Sequence, residues 1–412
     1  MKCLVLVALA ATGCGRIGFD GPHGTTRIEP SSYQPGDRFG QAIAMSADGN
    51  TLAVAASTSD LAGTDSGGVF VFRRGGVTWT EEAFLVAAEP DANDELAHGV
   101  ALSADGNTLV VGAPFEDSSG ASATDDSLMD SGAAYVFARR GSTWTQQAYL
   151  KRSVPAALDY LGYAVALSAT GDRLAVVIAA ADAGAIDTGA IVLFERTGEV
   201  WSPGPELAPA VPESNGGFGR SCAFSADGKT LAVAADNADA LRGLLHVFTE
   251  SGGAWSEDVV PSPGTPVGTL FSYSVALSAR GDVLVTSAPR EDGSAPQSGA
   301  AYVFERGGGA WVQRARLIAS DALANETLGF NVALDAAGDR VLVGVENDSH
   351  AGTLSGAARV FDRVGASWEQ TMYLVAPEPR ANDVFGDSVA LSADGSIIAI
   401  GGRGLGGVYV FR

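Results

Sequence analysis

The sequence predicts an all-β fold: a seven-bladed β-propeller of four-stranded blades, closed by an N-terminal strand that completes the C-terminal blade. Three observations carry that expectation. The phrase GVALSADGNTLVVGAP around Ser103 has six further copies, with equivalent residues Ser46, Ser103, Ser168, Ser225, Ser278, Asp335 and Ser392 spaced 57, 65, 57, 53, 57 and 57 apart. Self-similarity at such a period marks a repeat architecture. Each copy also contains four short runs rich in β-branched and aromatic residues, divided by Gly, Asp and Asn turns. Finally, all six tryptophans, Trp79, Trp144, Trp201, Trp255, Trp311 and Trp368, occupy one place in the repeat.

The second repeat shows the elements in order: GVALS, then TLVVGA after the Ala-Asp-Gly-Asn turn, then AAYVFARR, then WTQQAYL. Asp-Gly between two apolar runs is a hairpin signal, because Gly accepts positive φ without a Cβ clash. Four meandering strands per unit form a propeller blade. Solenoid repeats, the competing architecture, are usually shorter and need capping units, for which the chain offers no candidate. One tryptophan per blade at a fixed register predicts packing between neighbours. The seventh repeat ends at Arg412 after its third strand, so Thr25–Pro30 is expected to supply the fourth and close the ring.

Composition narrows the function. The chain has 412 residues with 48 acidic against 26 basic side chains, a net charge of −22. Phosphate binding needs clustered cations, so nucleic acid is disfavoured as a partner. Three cysteines cannot frame a chain of this length with disulfides, and no mid-chain apolar run is long enough to span a bilayer.

The first residues, MKCLVLVALAATGC, have the outline of an export signal: Lys2, an apolar stretch from Cys3 to Ala11, and small residues before Cys14. This resembles the lipobox of bacterial lipoproteins. The resemblance implies a signal peptide over 1–13, lipidation of Cys14, a tether over 14–24 and the propeller over 25–412. Gly15 in place of an Asp points, by the same resemblance, to the outer membrane or cell surface. The alternative is an ordinary secretory signal and a periplasmic or secreted protein.

Phe385-Gly386-Asp387-Ser388-Val389-Ala390, Val111-Gly112-Ala113-Pro114 and Gly132-Ala133-Ala134-Tyr135-Val136-Phe137 resemble the FG-GAP repeat of integrin-α-type propellers, with Phe39-Gly40 and Phe218-Gly219 as further copies. The resemblance implies a seven-bladed ring and a calcium loop between the first two strands. Here that loop is only Ser103 to Asn107 with a single carboxylate, and one Asp cannot supply the six to eight oxygens that calcium takes. No cofactor is therefore expected, with calcium at the shortened family-type loop as the alternative. The short turn is also similar to that of TolB- and lactonase-type propellers.

No G-x-S-x-G elbow, H-E-x-x-H or P-loop is present. His98 sits at the start of an inner strand, where it either lines the channel mouth or packs at a blade edge. Cys222 replaces a Val or Ala of the inner strand and reads as a small hydrophobe. The inner strands spell Val-Ala-Leu-Ser in nearly every copy, which predicts an inert channel. Loops joining strands two to three, and four to the next blade, share one face. On it fall Glu116, Asp117, Asp125, Asp126, Asp130, Asp182, Asp187, Asp236, Asp239, Glu291, Asp292, Glu346 and Asp348, a candidate binding face. Five of these lie in the enlarged loop from Phe115 to Ser131. Arg73, Arg74, Arg139, Arg140, Arg196, Arg306 and Arg363 follow the third strand and fall on the opposite face. The expected function is a non-catalytic, envelope-anchored binding or scaffold module whose acidic face meets a protein or glycan, with a membrane contact through the lipid. The alternative is a propeller-type hydrolase or lactonase with metal-assisted chemistry at the channel mouth.

Overall fold

The structure is a computed structural model that describes residues 24–412 apart from Tyr33, Ala121 and Thr124. The signal segment, Cys14 and the tether up to His23 lie outside the described residues. Seven antiparallel four-stranded sheets follow one another around a ring. Blade 1 runs Ile43–Met45, Thr51–Ala56, Gly68–Gly75 and Thr78–Leu85, and the same order repeats through blade 6, which ends with Ser367–Leu374. Blade 7 is composite. Its own strands are Ser388–Leu391, Ile398–Gly401 and Val408–Phe411, and Thr26–Ile28 adds the fourth, pairing Thr26 with Val410 and Ile28 with Val408. The expected closure of the last blade by the start of the fold is thus present.

The Ser-x-x-Gly turn shapes six of the inner hairpins, and Asp335 caps the equivalent turn of blade 6. Ser103 leaves the strand to cap the turn: its Oγ accepts from the amides of Asn107 and Thr108 at 3.2 and 2.9 Å and donates to Asp105 at 2.6 Å. Such side-chain bonds offer the backbone an alternative to the ladder, which is why the inner strand stops at Leu102. The turns also touch one another. Ala47 donates to Ala104, Ala104 to Ala169, Ala169 to Ala226, Ala226 to Ala279, Ala279 to Ala336, Ala336 to Ala393 and Ala393 back to Ala47, at 2.9 to 3.1 Å. Seven identical bonds therefore encircle the axis.

The apolar interior is divided between blades rather than pooled. Seven clusters of buried residues form, each drawing on two neighbouring blades. Trp144 packs on blade 1 residues such as Ala53 and Val69, and its Nε1 donates to Glu82 of that blade. Trp201 repeats this on blade 2, donating to Gln147. The tryptophans are inter-blade packing, as their register predicts. The junction without one lies between blades 6 and 7, where the fourth strand of blade 7 comes from Thr26–Ile28.

Candidate functional site

Each inner strand is entered through a residue pair in which the first member is a buried plug: Phe39, Leu96, Leu161, Phe218, Phe271, Leu328 and Phe385 are at most 2% exposed. From Leu96 onward, the backbone of this plug passes against the glycine at the start of the third strand of the blade before it. A Cβ on Gly132 would meet the carbonyl of Leu161 at 2.2 Å, and one on Gly356 that of Phe385 at 2.1 Å, so no larger residue fits. The second member turns the chain through positive φ, as at Gly162, Gly386 and even Ala97. The residue after it is thereby aimed at the axis. In blade order these residues are Gln41, His98, Tyr163, Arg220, Tyr273, Phe330 and Asp387, and they rim a cavity of about 380 Å³ at the channel mouth.

This ring corrects the expectation of an inert channel. One residue further along, the wall is indeed small, with Ala42, Gly99, Ala164, Ser221, Ser274 and Ser388, though Asn331 breaks the run. The mouth itself is aromatic and charged. Arg220 reaches between Tyr163 and Tyr273, its guanidinium 4.3 Å from the Tyr273 ring centroid and 5.8 Å from that of Tyr163, and it donates to both hydroxyls. Among the described residues no carboxylate pairs directly with it; Asp236 acts on it from a greater distance across an adjoining hollow of about 280 Å³. Burial raises the Asp236 carboxyl, against the pull of Arg220.

His98 lines the mouth, the first of its two expected placements. Its Nδ1 donates to the Tyr163 carbonyl at 2.9 Å and its ring lies 4.7 Å from the Tyr163 ring. Burial, with Arg220 and Arg38 nearby, lowers its pKa and keeps it neutral. On the far side of Gln41, Asp387 is 6% exposed and bonded to Arg403 at 3.2 Å. Burial pushes its carboxyl up to about 6, with Glu346 adding to the effect and Arg403 opposing it. Cys222 also lines the cavity wall, and desolvation pushes its thiol up to about 12, so it is inert as a nucleophile near neutral pH.

The acidic face is less free than the sequence suggests. Glu116, Asp236, Glu291, Glu346 and Asp348 are buried. Glu116 accepts from Tyr149 and Lys151 at 2.6 Å each, Glu291 binds Tyr302 and Arg316, and Glu346 pairs with Arg403. Asp182 and Asp292 accept the amides of Asp187 and Gln297 at 3.0 and 2.9 Å, and Asp117 that of Asp130 at 2.7 Å, so they build their own loops. Asp125 is tied to Ser119. Asp126, Asp187 and Asp239 remain exposed. None of the thirteen lines the mouth cavity; Asp236 lines the adjoining hollow and Glu346 pairs with Arg403 of the mouth. The reason is spacing: a carboxylate five residues before an amide it can reach is turn chemistry, and charge counting cannot separate that from a binding surface.

Five stretches, residues 24–72, 79–137, 267–304, 311–361 and 368–411, match the FG-GAP repeat model and together cover more than half of the chain. The chain belongs to the FG-GAP repeat family. No curated protein matches it. The unmatched stretch between residues 137 and 267 holds blades 3 and 4 of the same FG-GAP ring, including Tyr163 and Arg220 of the mouth. Calcium does not fit the inner turns of this FG-GAP protein. The Asp48 carboxylate is taken up by the Ser46 hydroxyl and by the amide and side chain of Asn50; these bonds overcome the effect of burial and hold it below the usual carboxylate range. Asp105 is engaged in the same way.

The arginines opposite the mouth join the blades of the FG-GAP ring. Arg139 of blade 2 reaches Glu82 and Thr51 of blade 1 at 3.0 and 3.3 Å, and its guanidinium lies over Trp144, its cross-strand partner. Arg196 likewise bonds Thr108 of blade 2, Arg306 bonds Thr249 and Asp258 of blade 4, and Arg363 pairs with Glu305 of blade 5.

Proposed function

We propose that this FG-GAP protein is a non-catalytic binding module, exported and held at the cell envelope through Cys14, which takes a protein or glycan partner on the face that bears the channel mouth. The observation that carries this reading is the mouth cavity of about 380 Å³, where aromatic rings flank Arg220, a cation without a directly paired carboxylate. Rings offer flat apolar contact and a desolvated guanidinium offers directed donors, which together are the composition of an interface anchor. Asp387, Gln41 and Asn331 add polar groups around them. The titratable groups of the mouth are engaged structurally, His98 Nδ1 by a carbonyl and Asp387 by Arg403, and its serines bond main chain instead: Ser388 donates to the Gly40 carbonyl, and Ser221 and Ser274 accept the amides of Val275 and Val332. The acidic loops then act as the rim, with Asp126, Asp187 and Asp239 exposed for contact.

The test is capture of purified glycans and peptides on arrays by the soluble propeller. Arg220→Ala combined with Tyr273→Ala should lower binding at least tenfold, whereas Arg314→Ala, on an outer strand of blade 5, should leave it unchanged. Equal binding by the mouth variant and the native protein would overturn the assignment of the mouth.

A further inference from the structure

Away from the mouth, one cluster holds more negative charge than the protein neutralises. Glu326 ends the connection from blade 5 to blade 6, and Asp348 and His350 sit on the loop between the second and third strands of blade 6. The two segments are held together by the Asn347 amide on the Glu326 carbonyl at 3.3 Å and the Asn347 side chain on Thr327 Oγ1 at 3.1 Å. Glu326 is 1% exposed and Asp348 fully buried. One oxygen or nitrogen from each of Glu326, Asp348 and His350 lies within 4.8 Å of the others.

The position of Glu326 explains how the cluster arises. At the equivalent place other blades carry an aspartate that turns back on its own loop: Asp37 accepts the amide of Gln34, Asp159 that of Ala156 and Asp383 that of Arg380. Glutamate is one methylene longer and overshoots. The Leu323 amide lies near, yet neither carboxylate oxygen of Glu326 completes a hydrogen bond. A buried carboxylate left this way is costly unless a charge compensates it.

The available compensation is partial. Arg359 is wholly buried and gives its one close contact, 2.6 Å, to Asp321; its Nη2 stays 3.7 Å from both Glu326 and Asp348 and makes no hydrogen bond. One guanidinium thus faces three carboxylates. His350 Nδ1 lies 2.9 Å from Glu326 Oε1 and 3.3 Å from Asp348 Oδ1. The 2.9 Å approach is not a hydrogen bond, since Oε1 has no donor aligned with it. His350 Nδ1 is hydrogen-bonded to both Asp348 oxygens at 3.3 Å, and two ligands each about 2.1 Å from a tetrahedral ion stand roughly 3.4 Å apart, so the three groups have the spacing of a shared metal that takes the place of that proton. Asp348 is itself oriented by the Tyr373 hydroxyl and the His350 amide, both at 2.9 Å, as ligating carboxylates are.

We propose that Glu326, Asp348 and His350 bind one divalent transition-metal ion, zinc by preference, which locks the blade 5 to blade 6 connection onto the loop of blade 6. An imidazole nitrogen among the donors selects zinc-type ions over calcium or magnesium. A dication balances the two carboxylates that Arg359 leaves over. The site is separate from the short inner turns that exclude calcium and does not rest on the binding role of the mouth.

The experiment uses the purified full chain, stripped with EDTA, loaded with zinc chloride and desalted, with metal content read by mass spectrometry and stability by thermal melting. One zinc per chain is expected, with a melting temperature several degrees above that of the stripped protein. Glu326→Gln should retain no zinc and lose the zinc-dependent shift, while its stripped form melts no lower than the native stripped protein, because an unpaired buried charge is gone. His350→Ala should likewise retain no zinc. Absence of zinc from the desalted native protein would overturn the site, as would full retention of zinc by both variants. Should His350→Ala fail to fold, Glu326→Gln alone decides between these results.

Discussion

The amide of Ala393 donates to the carbonyl of Ala47 at 2.9 Å across the seam where the last blade meets the first. The seam is therefore fastened in two places, near the axis by this bond and near the rim by Thr26–Ile28 on Val408–Phe411. The rim fastening buries Ile28 to 3% exposure and satisfies the edge of the last strand. Deleting Thr25 to Pro30 should lower the melting temperature steeply and expose that edge to aggregation, even though the axial bond remains. A deletion variant that melts like the native protein would show that the rim strand is dispensable.

Arg139 and Glu82 form a desolvated pair, their side chains 3% and 11% exposed, between blades 1 and 2. Removing one partner of such a pair strands the other charge. Arg139→Ala is expected to cost about 3–5 kcal/mol in chemical denaturation, and Glu82→Gln in the same background should recover part of it. A loss below about 1 kcal/mol would mean that Trp144 packing, not the ion pair, holds this junction.

Gly132 has φ +75° and its Cβ position is filled by the Leu161 carbonyl. Gly132→Ala combines a left-handed backbone with a clash against main chain, and a destabilisation of more than about 2 kcal/mol is expected. Gly141, also at positive φ but with nothing near its Cβ position, is the control: Gly141→Ala should cost about 1 kcal/mol, from the backbone conformation alone.

Burial pushes the carboxyl of Asp94 up to about 7, with Glu116, Asp91 and Asp117 adding repulsion. A carboxyl whose folded pKa exceeds its unfolded value binds a proton in the folded state that the unfolded chain has released. Its contribution to stability is therefore full below about pH 4 and is lost as the pH rises toward 7. Asp94→Asn should flatten the dependence of melting temperature on pH between those limits. An unchanged slope would place the titration elsewhere.

The ring, its seven repeats and its closing strand were legible in the sequence because each rests on local chemistry repeated at a fixed interval: Ser-capped turns, Asp-Gly hairpins, and a tryptophan beside its cross-strand arginine. The mouth was not. Gln41, Tyr163, Arg220 and Asp387 lie in different repeats and share no residue type, so only the shape of the ring gathers them. A signal was nonetheless there, in the variable position that stands two residues before the constant Val-Ala-Leu-Ser. The acidic loops misled for the opposite reason. Asp182 and Asp292 look alike because each performs the same turn, and Glu326 drew no attention because its neighbours in other repeats are ordinary loop aspartates.

The hoop of alanine bonds makes each blade both donor and acceptor, so no blade is first or last in it. Blade number is consequently a discrete choice rather than an adjustable length. Duplicating one repeat could not simply extend this protein: every junction would have to change its angle together before Ala393 could find Ala47 again. New termini cut into an outer loop, with the old ends joined, would leave the hoop untouched.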